Sequence, residues 1–201
     1  MRNLATALAI VLAATPAFAN GAAAPHPFGP QDLLAMQRLS EPRPSPSGDR
    51  VVFAVRTLDP AADRYRADLW IVGGDGSGLR RLTTHEGNES APNWSPDGQT
   101  VYFLSPASGS SQVWRVATAG GEPEQVTKLP LDAGNLLLSP DGKTLASTLE
   151  VYPDCPTLAC TVERNAERER QQAKGRLYER LFVRHWDTWE DGLRSHLFVL
   201  P

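Results

Sequence analysis

Three runs set the pattern of apolar and polar positions in this chain. They are Val51-Val52-Phe53-Ala54-Val55, Val101-Tyr102-Phe103-Leu104 and Leu145-Ala146-Ser147-Thr148-Leu149. Each is short, carries β-branched or aromatic residues and is bounded by turn residues, so each predicts a β-strand. Each follows the same kind of turn: Pro44-Ser45-Pro46-Ser47-Gly48, Trp94-Ser95-Pro96-Asp97-Gly98 and Leu138-Ser139-Pro140-Asp141-Gly142. Ser, Pro and Asp at the first three corners suit a type I turn, and Gly at the fourth can take a positive φ and launch the next strand. The prolines Pro46, Pro96 and Pro140 lie 50 and 44 residues apart.

A second pattern keeps the same phase. Leu69-Trp70-Ile71-Val72 leads through Gly73-Gly74-Asp75-Gly76 to Leu79-Arg80-Arg81-Leu82-Thr83. Val113-Trp114-Arg115-Val116 leads through Gly120-Gly121-Glu122-Pro123 to Glu124-Gln125-Val126-Thr127, and Trp70 and Trp114 are 44 residues apart. Each period therefore predicts four short strands, the repeat unit of a β-propeller blade. The expected fold is all-β: a partial β-propeller of about three four-stranded blades, the third incomplete. Blades are placed at about 40–84, 91–128 and 135–201. A β-sandwich with similar hairpins is the alternative architecture. One sheet cannot bury both its faces, so such units stack on one another.

The amino terminus has a different character. Residues 1–19 read as a secretory signal: Arg2, an apolar run from Leu4 to Ala14, Pro16, and the small-x-small site Ala17-Phe18-Ala19. The run is too short to span a bilayer. Cleavage is expected near Ala19-Asn20, giving a periplasmic or secreted protein. Residues 20–39 read as a proline-bearing leader and a short helix. That helix, Gln31 to Leu39, would turn Leu33, Leu34 and Met36 or Gln37 toward the body, with Met36 as a core residue. With a formal net charge of −3 and no basic tract, nucleic acid is not an expected partner. The 17 prolines and 16 glycines suit a turn-rich β protein.

The third period is interrupted. Its expected third strand, His196-Leu197-Phe198-Val199-Leu200, lies 84 residues after its counterpart in the second, measured from Trp114 to Phe198. An insertion at about 150–195 accounts for the surplus, and loops of that length in compact repeats are usually functional or capping. It opens with Cys155 and Cys160, the two cysteines of the chain. In an exported protein this spacing predicts a disulfide rather than a metal site, since no nearby His or Cys completes a tetrahedral set.

Thr161 to Leu177 then predicts a helix capped by Thr161. Glu163 and Glu167 fall one turn apart on it. They either repel unless a cation such as a substrate ammonium lies between them, or form a solvated face neutralised by Arg164, Arg168 and Arg170. The last part, Leu181 to Trp189 and Arg194 to Leu200, reads as two strands around Asp191-Gly192, with Trp186 and Trp189 as packing residues. His185 and Asp187 share a strand face, but no nucleophile accompanies them. No catalytic residue, metal or cofactor is expected.

The paired Ser-Pro-Asp-Gly turns resemble the propeller repeats of the prolyl oligopeptidase family of serine peptidases, and also those of TolB-type periplasmic propellers. The entry segment Gln31-Asp32-Leu33-Leu34 leading to Ser45-Pro46-Ser47-Gly48, the signal, and Arg184-His185-Trp186-Asp187-Thr188-Trp189 with Arg194 to Val199 favour the peptidases. That last segment is similar to bacterial dipeptidyl-peptidase and acylaminoacyl-peptidase-like members. The resemblance implies a following α/β-hydrolase domain marked by Gly-x-Ser-x-Gly, which these 201 residues lack. The sequence thus looks like the amino-terminal part of a longer exopeptidase, inactive alone, whose propeller gates short peptides. Glu163 and Glu167 are its candidates for holding the substrate's amino end. A non-enzymatic propeller that binds protein partners is the alternative.

Overall fold

A computed structural model describes residues 26–172, 175, 177–178, 184–186 and 188–201 of the chain. The expected signal at 1–19 lies outside these residues, as do Asp187 and the side chain of His185. A short helix, α1 (Pro30–Ala35), opens on Gly29, with Asp32 accepting a hydrogen bond from the Gly29 N–H. It is shorter than the expected helix to Leu39. Leu33, Leu34 and Met36 are all exposed, Met36 at 52%, so Met36 is no core residue. The chain leaves the helix at Met36 in an extended conformation and enters the first sheet at Arg38.

That sheet contains β1 (Arg38–Pro44), β2 (Arg50–Asp59), β3 (Arg64–Gly73) and β4 (Arg80–Arg81), in that order and antiparallel. The second contains β5 (Ser90–Trp94), β6 (Thr100–Ser105), β7 (Gln112–Ala117) and β8 (Glu124–Gln125) in the same arrangement. The third begins with β9 (Gly134–Leu138) and β10 (Leu145–Val151). The chain then leaves it for helix α2 (Leu158–Arg170) and the small hairpin β11 (Arg184–His185) with β12 (Thr188–Trp189). It returns as β13 (Arg194–Leu200), which pairs with β10 in the order β13-β10-β9. The register preserves the period: Phe53 faces Trp70, Phe103 faces Trp114, and Ser147 faces Phe198. The structure is thus a partial propeller of antiparallel blades with an insertion in the third.

Two apolar layers hold the blades together. Val52, Ala54, Leu69 and Ile71 of the first pack with Val101, Phe103 and Val116 of the second. Leu104 and Val113 of the second pack with Leu136, Leu145, Leu149 and Val151 of the third. Burial of this kind contributes about 25 cal/mol per Å² of apolar surface removed from water.

The repeated turns form as their residues dictate. In each, the Gly N–H donates to the Ser carbonyl three residues earlier: Gly48 to Ser45, Gly98 to Ser95 and Gly142 to Ser139, all at 2.9 Å. The Ser95 hydroxyl donates to Asp97 at 2.6 Å and accepts from the Thr100 N–H at 2.9 Å, and Ser139 does the same with Asp141 and Thr144. These hydroxyls hold the Asp97 and Asp141 carboxyls below the usual carboxylate range. In the first turn Asp49 does this work from outside the corner, accepting from both Ser45 and Ser47.

Candidate functional site

The insertion in the third blade is the part of the chain that departs from the repeat. It is anchored at Tyr152, just past the end of β10, which is buried. The Cys155–Cys160 disulfide closes the following loop with its Cα atoms 5.5 Å apart, inside the range such a bridge needs. Helix α2 starts within this loop. Its cap is Thr157, whose Oγ1 accepts the Cys160 N–H, rather than the expected Thr161. Thr161 is instead wholly buried and accepts a hydrogen bond from the Tyr152 N–H. The helix begins earlier than expected because the disulfide loop contributes its first turn.

From Thr161 the inward face of α2 continues through Asn165 and Arg168. The Tyr152 hydroxyl meets Asn165 Oδ1 at 3.2 Å and also takes a hydrogen bond from Arg168. The Arg164 guanidinium lies 4.5 Å from the centre of the Tyr152 ring and forms a two-point pair with Asp154, at 2.8 and 2.9 Å. Arg168 reaches Asp191 at 3.7 Å, tying the helix to the segment that feeds β13. One aromatic ring and two arginines thus fix the insertion to the end of its blade.

Glu163 and Glu167 lie on the opposite side of α2, one turn apart and exposed. Glu167 pairs with Arg170 at 3.1 Å. Arg164 and Arg168, which the solvated-face reading assigned to these acids, are instead engaged by Asp154, Tyr152 and Asp191. The inward side of the helix borders a cleft of about 630 Å³ whose lining includes Asn165, Arg168, Glu169, Glu190, Asp191 and Leu193. Neither Glu163 nor Glu167 lines it. Its acids come from the end of α2 and from the approach to β13, some twenty residues apart, and no local spacing announces that they meet.

Of the two tryptophans expected to pack in the hairpin, one departs from expectation. Trp186 sits in the turn at φ 56° and is 87% exposed, so it is not a packing residue. Trp189 is half exposed, stacks on Tyr178 with ring centres 5.9 Å apart, and lies under Arg184. Among the described residues no cluster of His, Cys, Asp and Glu could hold a metal ion, and no helix is long and apolar enough to cross a membrane.

Four-stranded antiparallel blades, in-phase turns and inter-blade cores leave the family to sequence comparison. A family model described as the TolB beta propeller domain matches residues 36–167. The chain belongs to the TolB beta propeller family. This propeller is 30% identical over 207 aligned residues to dipeptidyl-peptidase 5 of Porphyromonas endodontalis, an alignment covering 98% of the chain and 29% of that relative. It is also 37% identical over 57 residues to the Tol-Pal system protein TolB of Bordetella pertussis, covering 28% of the chain and 13% of the relative. Acylaminoacyl peptidase of Pyrococcus horikoshii superposes with a TM-score of 0.60 at 13% identity, over 84% of the chain and 23% of that structure, which shows the fold. The propeller therefore spans less than a third of the dipeptidyl-peptidase it matches, and the resemblance to the propellers of prolyl oligopeptidase family peptidases is borne out.

Proposed function

We propose that this chain is the propeller portion of an exported serine exopeptidase of the dipeptidyl- or acylaminoacyl-peptidase type. It covers an α/β-hydrolase domain, admits only short peptides and positions their amino ends. The observation that carries this reading is the similarity to dipeptidyl-peptidase 5 across 98% of the chain, a span that takes in the third-blade insertion as well as the repeats. The signal-like residues 1–19 and the Cys155–Cys160 disulfide support export. The insertion supplies the acids that suit a peptide ammonium group. Glu163 and Glu167 present carboxylates on the outside of α2, and Glu169, Glu190 and Asp191 present them in the cleft.

The test uses the full-length gene product with matched substrates, one with a free amino end and one blocked. Loss of a charged hydrogen bond to the ammonium is worth roughly 1.5–3 kcal/mol, about ten- to hundredfold in KM. Glu163→Gln or Glu167→Gln should raise KM that much for the free-amino peptide and leave the blocked one unchanged. The same result from Glu169→Gln or Glu190→Gln alone would move the amino-end site into the cleft. Equal effects on both substrates would remove it from the insertion altogether. The second reading, a propeller that binds protein partners, draws on the 57-residue similarity to TolB. A full-length product that neither hydrolyses dipeptide substrates nor reacts with a serine-directed probe would favour it.

A further inference from the structure

The first two blades carry the same niche with different chemistry inside. In the second, Gln112 is buried at the start of β7. Its Oε1 accepts from the Thr127 hydroxyl and the Leu129 N–H, and its Nε2 donates to the carbonyls of Leu129 and Leu131. The Thr127 hydroxyl in turn accepts the Val113 N–H at 2.9 Å. One period of 44 residues earlier, Thr83 accepts the Leu69 N–H at the same 2.9 Å. There Asp68 stands in place of Gln112, and Glu89 in place of the buried Ala133. A neutral amide beside a methyl group has become two acids.

Glu89 is 2% exposed, and its backbone N–H is bonded to the Ala67 carbonyl at 2.9 Å. The Thr83 and Ser105 hydroxyls hydrogen-bond its carboxyl, but Oε2 is buried without a hydrogen-bond partner. Asp68 is flanked by two arginines, Arg66 at 3.3 Å from β3 and Arg81 at 2.5 Å from β4, the second a charge contact without a hydrogen bond, and burial pushes its carboxyl up as well. Glu89 has no arginine of its own in this arrangement: Arg66 acts on it only at a distance. The charged and titratable groups facing the pair are thus Arg66 from β3, Arg81 from β4 and His85 from the segment after β4, with Thr83 and Ser105 as neutral partners.

We propose that Glu89 is a proton-operated latch at the junction of the first two blades. With its proton, the carboxylic acid fills the niche between Thr83 and Ser105 as a neutral group, and residues 83–89 stay seated between β3 and β6. When the proton passes to water, a carboxylate without a cation is left buried beside the Asp68 carboxylate. It gains by swinging out to solvent and taking that segment with it. Burial first, and the Asp68 charge with it, push the Glu89 carboxyl up to about 7 against the opposing pull of the Thr83 and Ser105 hydroxyls and of Arg66. The closed form therefore binds the proton more tightly than the open form. Its advantage is complete below the ordinary glutamate range, is lost as pH rises toward about 7, and does not fall further above it.

Hydrogen–deuterium exchange by mass spectrometry on the dilute full chain reads this directly, through peptides spanning residues 83–90 corrected for intrinsic rate. Opening should increase about tenfold per pH unit between pH 5 and 7 and level off above. The repeat counterpart, residues 127–134, should show no such rise. Glu89→Gln should flatten the response of 83–90. Equal pH dependence in the wild type and the Gln variant would overturn the proposal. A carbon-13 titration of the wild-type carboxyl guards against a variant that fails to fold: an ionised Glu89 at pH 5 also overturns it.

Discussion

Gly142 holds the third-blade turn at φ 71°, and a Cβ placed there would meet Pro96 Cδ at 2.9 Å. The turn of one blade therefore rests on the proline of the turn before it. Gly48, the first of the series, has a similar φ of 73° but no atom within 4 Å of such a Cβ. The pair separates backbone strain from packing. Gly48→Ala should lower stability by about 1 kcal/mol, and Gly142→Ala by about 2–3 kcal/mol, in thermal melts read side by side. Equal losses would show that the Pro96 contact contributes nothing. These turns were legible in the sequence because their chemistry is local: Ser, Pro, Asp and Gly each have one job within five residues. A second device in the same strands was not. Glu41, Ala91 and Asn135 all take positive φ, at 53°, 52° and 48°, beside register shifts in the first strands of the three blades. They keep the spacing of the prolines, but Glu, Ala and Asn share no property that would mark a bulge. Glu41 also spans two blades, its carboxylate accepting the Ala91 N–H at 2.7 Å.

Between elements, the first two blades are joined by side chains as well as by their core. Arg50, at the start of β2, donates from Nη2 to the Gly98 carbonyl at 2.9 Å and from Nη1 to Thr118 Oγ1 at 3.1 Å, and its guanidinium lies 5.3 Å from the centre of the Trp94 ring. Arg80 adds a bond to the Thr118 carbonyl. A planar fork makes both Arg50 bonds while stacked on the indole, which an ammonium cannot do. Arg50→Lys should therefore cost roughly 1–2 kcal/mol despite keeping the charge, measured by denaturant unfolding. An unchanged midpoint would assign the junction to the apolar core alone. At this scale, strands were legible where the period repeats them. Strand β13 was placed from its distance to Trp114 although some 40 residues intervene. Helices were legible only roughly. Leu33, Leu34 and Met36 have helical spacing, yet the chain turns extended at Met36 to begin β1. The cleft acids were not legible, because Glu169 and Glu190 are brought together by the return of the chain to β10.

For the molecule as a whole, the repeat that joins one blade to the next leaves two faces without a partner among the described residues. On the third sheet Leu137, Leu197 and Val199 are 62%, 69% and 65% exposed and project to one side, since Leu137 and Val199 both face Ala146. On the first sheet Val51, Phe53, Trp70 and Val72 are half-buried on the side away from the second blade. Strand β13 is also the edge of its sheet and presents backbone groups that can pair with another strand. Within the chain, faces of this kind bury each other, so the first face of one copy is a natural partner for the last face of another. That contact is head-to-tail, and unless its rotation closes a ring it propagates. The 201-residue chain without residues 1–19 should therefore associate as concentration rises and melt broadly. Replacing Leu197 and Val199 together by lysine should shift it toward monomer in size-exclusion chromatography without loss of β-structure, because both side chains already face water. A wild-type chain that stays monodisperse across the concentration range and melts sharply would show that the exposed faces do not drive association.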